Sequence, residues 1–455
     1  TAHNKRGWGV CRSMLSRRLI AREVAAALLA GTWATRPMEA RAAAYLGKST
    51  KRWQKRLIAD LVSANGAGYP PSPAALADRL LASSYFDRAA AIVLRQKTPP
   101  PMVLDPPAFA PAPAFAAMHP PRIETIGDLA TWLEIPIARL DWLADEKRQH
   151  SRTDLPILQH YHYRFVPKSS GALRLIEAPK ARLKALQRRI LAEILDLAPV
   201  HPRAHGFVRG RSCLTGAQVH AGEQLVVCAD LRDFFPSIRA ARIHGLFRSF
   251  GYPTAVARAL TGLCTTSTPR SIFQRIDEGQ QFDWFTRRRY SAPHLPQGAP
   301  TSPALANLCA WRFDQRCDGL ARALGGSYTR YADDLTFSGD AAFAARTSTL
   351  IAALGKIIGE EGFAINESKT RLMRRARPQR VTGIVVNDHV NVPRRGYDEL
   401  KALLHNCCKH GPASQNRDRR TDFRAHLDGR VGWVEQVNPN RGAKLRTAFD
   451  AISWS

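Results

Sequence analysis

Acidic residues are scarce in this chain. Its 38 Asp and Glu stand against 67 Lys and Arg, which leaves a formal net charge of +29 over 455 residues. Such an imbalance points to a polyanionic partner, nucleic acid before membrane. Long apolar runs are also missing. The longest near the N-terminus, residues 24–33, is too short to span a bilayer. Its basic lead (Arg17, Arg18, Arg22) is like the start of an export signal, but Glu23 interrupts it and no small-residue cleavage site follows. A cytoplasmic protein without a membrane partner is expected. The third absence is paired cysteine. The eight cysteines include the neighbours Cys407 and Cys408 but no Cys-x-x-Cys pair. That spacing argues against a zinc site and against a disulfide framework, and for free thiols in a reducing compartment.

The length suffices for several domains. Residues 1–97 read as a basic helical N-terminal domain, with helices expected over 13–30, 50–64 and 72–94. Up to Ala59 only Glu23 and Glu39 oppose a run of Lys and Arg, and Trp8, Trp33, Tyr45 and Trp53 are interleaved with it. Basic residues mixed with aromatics suit an RNA backbone and stacked bases, although a helical bundle with its Trp residues in the core has the same composition. Residues 98–122 are so rich in proline that they read as an extended linker.

Beyond it, residues 126–144 pattern as two short helices broken at Ile135-Pro136. Residues 161–168 and 173–177 alternate like the arms of a hairpin, followed by a Lys/Arg-rich helix over 179–197. A basic hairpin of this kind can clamp triphosphate and template, with Arg174 as the phosphate contact.

Two acidic strand ends carry the chemistry. Tyr331-Ala332-Asp333-Asp334 places adjacent carboxylates between β-prone residues, at the expected tip of a hairpin. Side by side they repel each other unless something neutralises them. The apolar run 224–229 ends in Asp230. A buried strand should not end in an inward charge without a partner. Brought together, Asp230, Asp333 and Asp334 would be neutralised by two Mg²⁺ about 4 Å apart, the arrangement that activates a hydroxyl and steadies a leaving pyrophosphate. Alternation along a strand makes Asp333 the more direct ligand. Backbone N–H groups around Asp233 and Phe234 can cup phosphate oxygens. Asp233 also fits a purely local backbone role. Phe235, five residues past Asp230, is positioned to sit under the nucleotide sugar and exclude a 2′-hydroxyl; core packing is the alternative.

At this point the residues resemble a reverse transcriptase. Residues 230–235 are similar to that family's motif A and Tyr331-Ala332-Asp333-Asp334 to its motif C. Motif B is matched by Pro296-Gln297-Gly298-Ala299-Pro300-Thr301-Ser302, and motif D by residues 362–369. The resemblance covers roughly residues 125–455. It implies an α+β right-hand polymerase: fingers and palm with an antiparallel sheet over 123–392, and a helical thumb over 393–455. As an RNA-directed DNA polymerase it would use Asp230, Asp333, Asp334 and the Leu231 backbone carbonyl for two Mg²⁺, with Mn²⁺ as a substitute. Lys369 would donate a proton to pyrophosphate. Gln297 and Gly298 would meet the incoming deoxynucleotide with Arg174, Asp233, Phe234 and Phe235.

Within that family the chain looks most like bacterial retron reverse transcriptases. Val381-Thr382-Gly383 resembles a retron signature, opening a hairpin over 384–392. Ala217 and His220 match the retron Asn-Ala-x-x-His, with Gly216 replacing its Asn. The resemblance implies RNA contacts from Ala217, His220, Val381, Thr382, Gly383 and, on the thumb, Arg430. It also implies copying of part of a cognate noncoding RNA into single-stranded msDNA, primed from a guanosine 2′-hydroxyl, and antiphage defence with a separate effector. A group II intron-type enzyme is the alternative, weakened because about 60 residues follow Val392, without paired cysteines. A non-catalytic RNA-binding module on a polymerase scaffold is another, opposed by the intact carboxylates.

Overall fold

The computed structural model describes residues 16–29, 33–46, 52–63, 71, 73–95, 108–167, 173–276 and 282–454. The chain divides into two compact units, Thr1–Ala108 and Phe109–Ser455. The first contains the helices Arg17–Leu29, Thr35–Leu46, Arg52–Ser63, Pro73–Ala82 and Ser84–Arg95. In the first of these helices Ile20, Val24 and Leu28 recur every four residues and are buried, the pattern of one apolar helix face. The stretch read as one helix over 72–94 is two, divided at Ser83. Trp33 is packed in this unit's core and is therefore not a free stacking surface. The side chains of Trp8, Tyr45 and Trp53 lie outside the described ones.

The second unit is α+β. Strands β1 (Tyr161–Pro167) and β2 (Leu173–Pro179) form the expected hairpin, pairing Tyr161 with Pro179 and Pro167 with Leu173. The main sheet is antiparallel, in the order β4-β5-β3-β6: β3 is Leu225–Asp230, β4 Gly326–Tyr331, β5 Asp334–Gly339 and β6 Arg371–Arg374. A small hairpin follows from β7 (Arg380–Val381) and β8 (Ile384–Val385).

The run at β3 is apolar throughout because both of its faces are covered. Leu225, Val227 and Ala229 join one core, with Phe247, Leu260, Leu305 and Phe313 from helices that include Ala240–Ser249, Thr254–Cys264, Ser302–Cys309 and Trp311–Ala323. Val226 joins another core, built by Val381 and Ile384 with Leu404, Val431 and Leu445 of the helices Arg394–His410, Phe423–Val437 and Pro439–Asp450. The period of two along a strand divides the residues between these cores.

The proline-rich stretch differs from a free linker over its described part. Phe109 packs edge-on against Tyr252, and Phe115 against Phe250, with ring centroids 5.3 and 4.9 Å apart. The Ala110 N–H donates to the Gly251 carbonyl and that of Ala112 to Ser249. A short 3-10 helix over Pro113–Phe115 interrupts this segment, and its aromatics pack it into the second unit. Residues 98–107 lie outside the described residues. Among the described residues no helix is long and apolar enough to cross a membrane.

Candidate active site

The β4–β5 hairpin turns through Ala332, whose φ of 56° is unusual for a residue with a Cβ. Asp333 follows in the turn. Asp334 opens β5 directly opposite Asp230, the last residue of β3. The Leu231 N–H donates to the Asp333 carbonyl at 2.9 Å, which ties the two strand ends together. All three carboxylates thus share one edge of the sheet. Burial and the charge of Asp230 raise the Asp333 carboxyl above its usual range. Asp334 reaches solvent, yet burial of its carboxyl and the charges of Asp333 and Asp230 push it up to about 6.

Asp230 already has a cation. Lys369 Nζ donates to its Oδ1 at 2.8 Å, and Asn366 Nδ2 to its Oδ2 at 3.1 Å. Three crowded carboxylates, two of them raised by burial and by their neighbours' charges, fit a divalent cation such as Mg²⁺.

The tightest group of ligand-type side chains among the described residues is elsewhere, at Asp145, His150 and His160. Its donors are engaged within the fold. Asp145 pairs with His150 and accepts the N–H groups of Gln149 and His150. His150 Nε2 meets Thr266 Oγ1, and His160 Nε2 donates to the Trp142 carbonyl. That group cross-links the fold, whereas burial leaves the Asp333 and Asp334 carboxylates raised and suited to a cation.

Beneath the edge lies a buried support absent from the sequence reading. Arg330 on β4 is fully buried and pairs with Asp314, donating from Nε to Oδ1 and from Nη2 to Oδ2 at 2.7 Å each. Its Nη1 donates to Asn307 Oδ1 and to the Ala332 carbonyl, both at 3.0 Å, so it holds the strained turn itself. Asn307 in turn donates to the Gly206 carbonyl. A Cβ at Gly206 would stand 2.5 Å from the Ala332 nitrogen, so only glycine lets that loop lie against the turn. The sole local sign was an arginine in the middle of a strand.

On the other side a pocket of about 420 Å³ is lined by Lys184, Arg188, Phe207, Phe235, Gly298 and Pro303, among others. The Phe207 ring lies 6.3 Å from those of Phe235 and Tyr331. Lys184 and Arg188 belong to the Lys/Arg-rich helix expected from sequence, but Phe207 was not singled out. Gly298 has a φ of 132°, and a Cβ there would meet the Glu177 carbonyl at 3.1 Å. Glu177 also donates its N–H to the Gln297 carbonyl, and its buried carboxylate holds His294 at 2.8 Å and accepts from Thr268. The motif B loop is thereby clamped onto β2. Arg174, exposed on β2, is near enough for its charge to act on Asp333. Ser302 is the first residue of its helix, and its hydroxyl donates to the Pro296 carbonyl.

The Phe234 ring is buried against Phe363 and under the Arg330 guanidinium, which leaves its backbone for the phosphate contact expected there. The Asp233 carboxylate is taken by Arg289 Nη1 at 3.0 Å and by the Thr286 hydroxyl, in keeping with the local role its sequence allowed. Other expectations need correcting. Ala217, His220 and Val381 are all buried, and their side chains cannot reach RNA. His220 instead bridges Ser338 and Thr329 at 2.7 Å each, locking its loop to β5 and β4. Thr382 and Gly383 form a turn with positive φ, where Gly383 is exposed; Arg430 is half-buried on its helix.

A mixed sheet-and-helix body with acidic strand ends and a glycine loop beside them defines an α+β polymerase fold. Residues 166–386 match the reverse transcriptase (RNA-dependent DNA polymerase) family. The retron Mx65 reverse transcriptase of Myxococcus xanthus is 44% identical over 295 residues, 63% of this chain and 64% of that protein. The retron Mx162 enzyme of the same organism is 36% identical, over 70% of this chain and 65% of its own length. The retron Ec86 reverse transcriptase of Escherichia coli is 35% identical, over 51% and 65%. The chain thus spans just under two thirds of the length of these curated relatives. These similarities bear out the resemblance to bacterial retron-type reverse transcriptases.

Proposed function

We propose that the chain is a retron reverse transcriptase that copies part of a cognate structured noncoding RNA into single-stranded msDNA. The observation that carries this reading is the meeting of Asp230, Asp333 and Asp334 on one sheet edge, with Phe235 and Gly298 lining a pocket in the same domain. In the reaction a primer hydroxyl, here a guanosine 2′-OH, bonds to the α-phosphorus of a deoxynucleoside triphosphate, and the bond to pyrophosphate breaks. Bound at the three aspartates with help from the Leu231 carbonyl, two divalent ions, Mg²⁺ or Mn²⁺ in its place, would make the hydroxyl more acidic and steady the leaving group.

The chain's own residues do the rest. Arg174, Lys184 and Arg188 attract phosphates. Phe235 lies under the sugar and disfavours a 2′-hydroxyl. Gln297 and Gly298 bring backbone close to the base pair. Lys369, held at Asp230, supplies a proton to pyrophosphate. Residues 123–392 act as fingers and palm and 393–455 as the thumb, whose Arg430 follows the duplex by phosphate contacts. The Thr382–Gly383 turn, exposed at Gly383, contacts the RNA. Residues 1–97 either grip that RNA or dock a separate effector in antiphage defence.

Asp333→Asn with Asp334→Asn should abolish DNA synthesis and leave RNA affinity nearly intact. Retained synthesis would sink the metal assignment. Sequencing of nucleic acid that copurifies with the protein should find a branched RNA–DNA species from one small locus; unbranched or heterogeneous RNA would overturn the retron reading. Deleting residues 1–97 should weaken RNA or effector binding more than synthesis on a generic primed template.

A further inference from the structure

The helix Trp284–Ser291 carries the sequence Trp284-Phe285-Thr286-Arg287-Arg288-Arg289-Tyr290-Ser291. Only Thr286 and Tyr290, one turn apart, are buried. Tyr290 seats the helix on a small core with Leu175 of β2, Ile272 and Phe273. The opposite face holds two of the largest apolar side chains of the protein in solvent: Trp284 is 61% and Phe285 68% exposed. Their rings meet edge-on at 5.1 Å, and the Arg288 guanidinium lies 5.1 Å from the Trp284 ring centre. Arg270, Gln274, Arg287 and Arg288 join Trp284 around a groove of about 440 Å³ between this helix and the helix Arg270–Phe273.

The charge on this face is one-sided. The acid at the helix start, Asp283, caps the helix and pairs with Arg232. Arg289 is turned inward onto Asp233, three residues past Asp230. The platform is therefore latched to the loop that leaves the catalytic strand, and its outward arginines face solvent with the two rings.

We infer that this face is a binding site for single-stranded nucleic acid, with Trp284 and Phe285 stacking bases and Arg270 and Arg288 holding phosphates. Two exposed rings beside guanidinium groups have no reason to remain in water without a partner that offers both flat apolar faces and negative charge. Unpaired bases on a phosphate backbone offer both. A duplex hides its base faces, and an acidic protein surface offers no flat faces to stack. Resting on the polymerase reading above, the strand that fits is the unpaired RNA template on its way to Asp230. Stacking on the two rings does not depend on which base is present, so the site tolerates any sequence.

The test uses the full chain and two fluorescent probes of about 20 nucleotides, a mixed-sequence single-stranded RNA and a blunt RNA–DNA hybrid. Trp284→Ala with Phe285→Ala should weaken single-strand binding by at least about tenfold, since stacking on an aromatic contributes about 1–3 kcal/mol per base. Binding of the hybrid should change less than twofold. Trp284→Tyr with Phe285→Tyr should restore most of the loss. Both side chains are exposed, so the variants should melt with the wild type. Unchanged single-strand affinity, or an equal loss on the hybrid, overturns the inference and would make this face a protein-docking surface or a general basic patch. Primer extension by the wild-type chain tests the polymerase reading separately. Ring-dependent binding without extension would sink that reading alone, and extension with ring-independent binding would sink this one alone.

Discussion

Two regions of the second unit carry sequence motifs of the same family, and they use them in opposite ways. At the sheet edge Asp230, Asp333 and Asp334 are crowded, and burial together with their neighbours' charges raises Asp333 and Asp334. Behind the sheet Ala217, His220 and Val381 are buried, with His220 satisfied at both ring nitrogens. At the edge Asp230 is held by Lys369 and Asn366, while the raised Asp333 and Asp334 carboxylates call for a ligand. The residues behind it are satisfied within the chain and call for none. A motif residue's unmet interactions, more than its membership in a motif, indicate whether it meets a ligand.

The largest expected effect lies at the edge. Asp230→Asn removes a charge that the fold has placed beside Lys369. DNA synthesis should fall at least about 1000-fold, equivalent to about 4 kcal/mol of transition-state stabilisation, while RNA affinity measured by filter binding stays within about twofold. Synthesis near the wild-type level would erase the distinction between the two regions.

Next comes the support below the edge. Arg330→Met strips the partner from buried Asp314 and frees the Ala332 turn. Removing one member of a buried pair costs about 3–5 kcal/mol, which should show as a large drop in the denaturant midpoint. Replacing both Arg330 and Asp314 by apolar residues should recover much of that stability but not the synthesis, because the turn would no longer be held. Recovery of both would mean that Arg330 serves only the core.

How far the sequence showed all this depends on the range of the signal. Strands β1 to β5 announced themselves by local alternation or by an apolar run, and the aspartate edge by charges where strands should be apolar. The helix Thr35–Leu46 was not among those named, since its alanines give little periodic contrast. Strand β6, Arg-Leu-Met-Arg, is short, polar and exposed at a sheet edge; it exists because β3 offers it a partner. Arg330 and Asp314 meet across a strand and a helix, and Glu177 and His294 lie 117 residues apart. Neither pair has a local signature. The prolines of 98–122 suggested an extended linker, but they could not show that Phe109 and Phe115 find a core or that Pro113–Phe115 turns into a short 3-10 helix. Nor did the motif at His220 reveal that its loop tucks beneath the sheet.

A smaller effect is expected behind the sheet. His220→Leu leaves the Ser338 and Thr329 hydroxyls without their partner. Stability should fall by about 1–3 kcal/mol, the usual cost of an unmet buried polar group, with RNA affinity unchanged. Weakened RNA binding in a variant that is still folded would return His220 to the role its motif suggested.

The two regions should also respond oppositely to acid, and this is the finest test of the contrast. Burial pushes His220 down to about 3, so the folded chain keeps it neutral while the unfolded chain protonates it near its ordinary value of 6.5. The unfolded state then binds more protons, and stability falls as pH drops below about 6.5, by about 1.4 kcal/mol per unit for one such group. Burial likewise lowers His160, to about 4, and adds to the same trend. Asp334, raised to about 6, works the other way: the folded state holds the extra proton, and its contribution to stability grows as pH falls through 6. Urea melts of the wild type and of His220→Gln between pH 7.5 and 5.5 separate these contributions, since the variant should lose stability less steeply by up to about 1.4 kcal/mol per pH unit below 6.5. Parallel profiles would mean that His220 takes up its proton in the folded state, and the region behind the sheet would then be as unsatisfied as the edge.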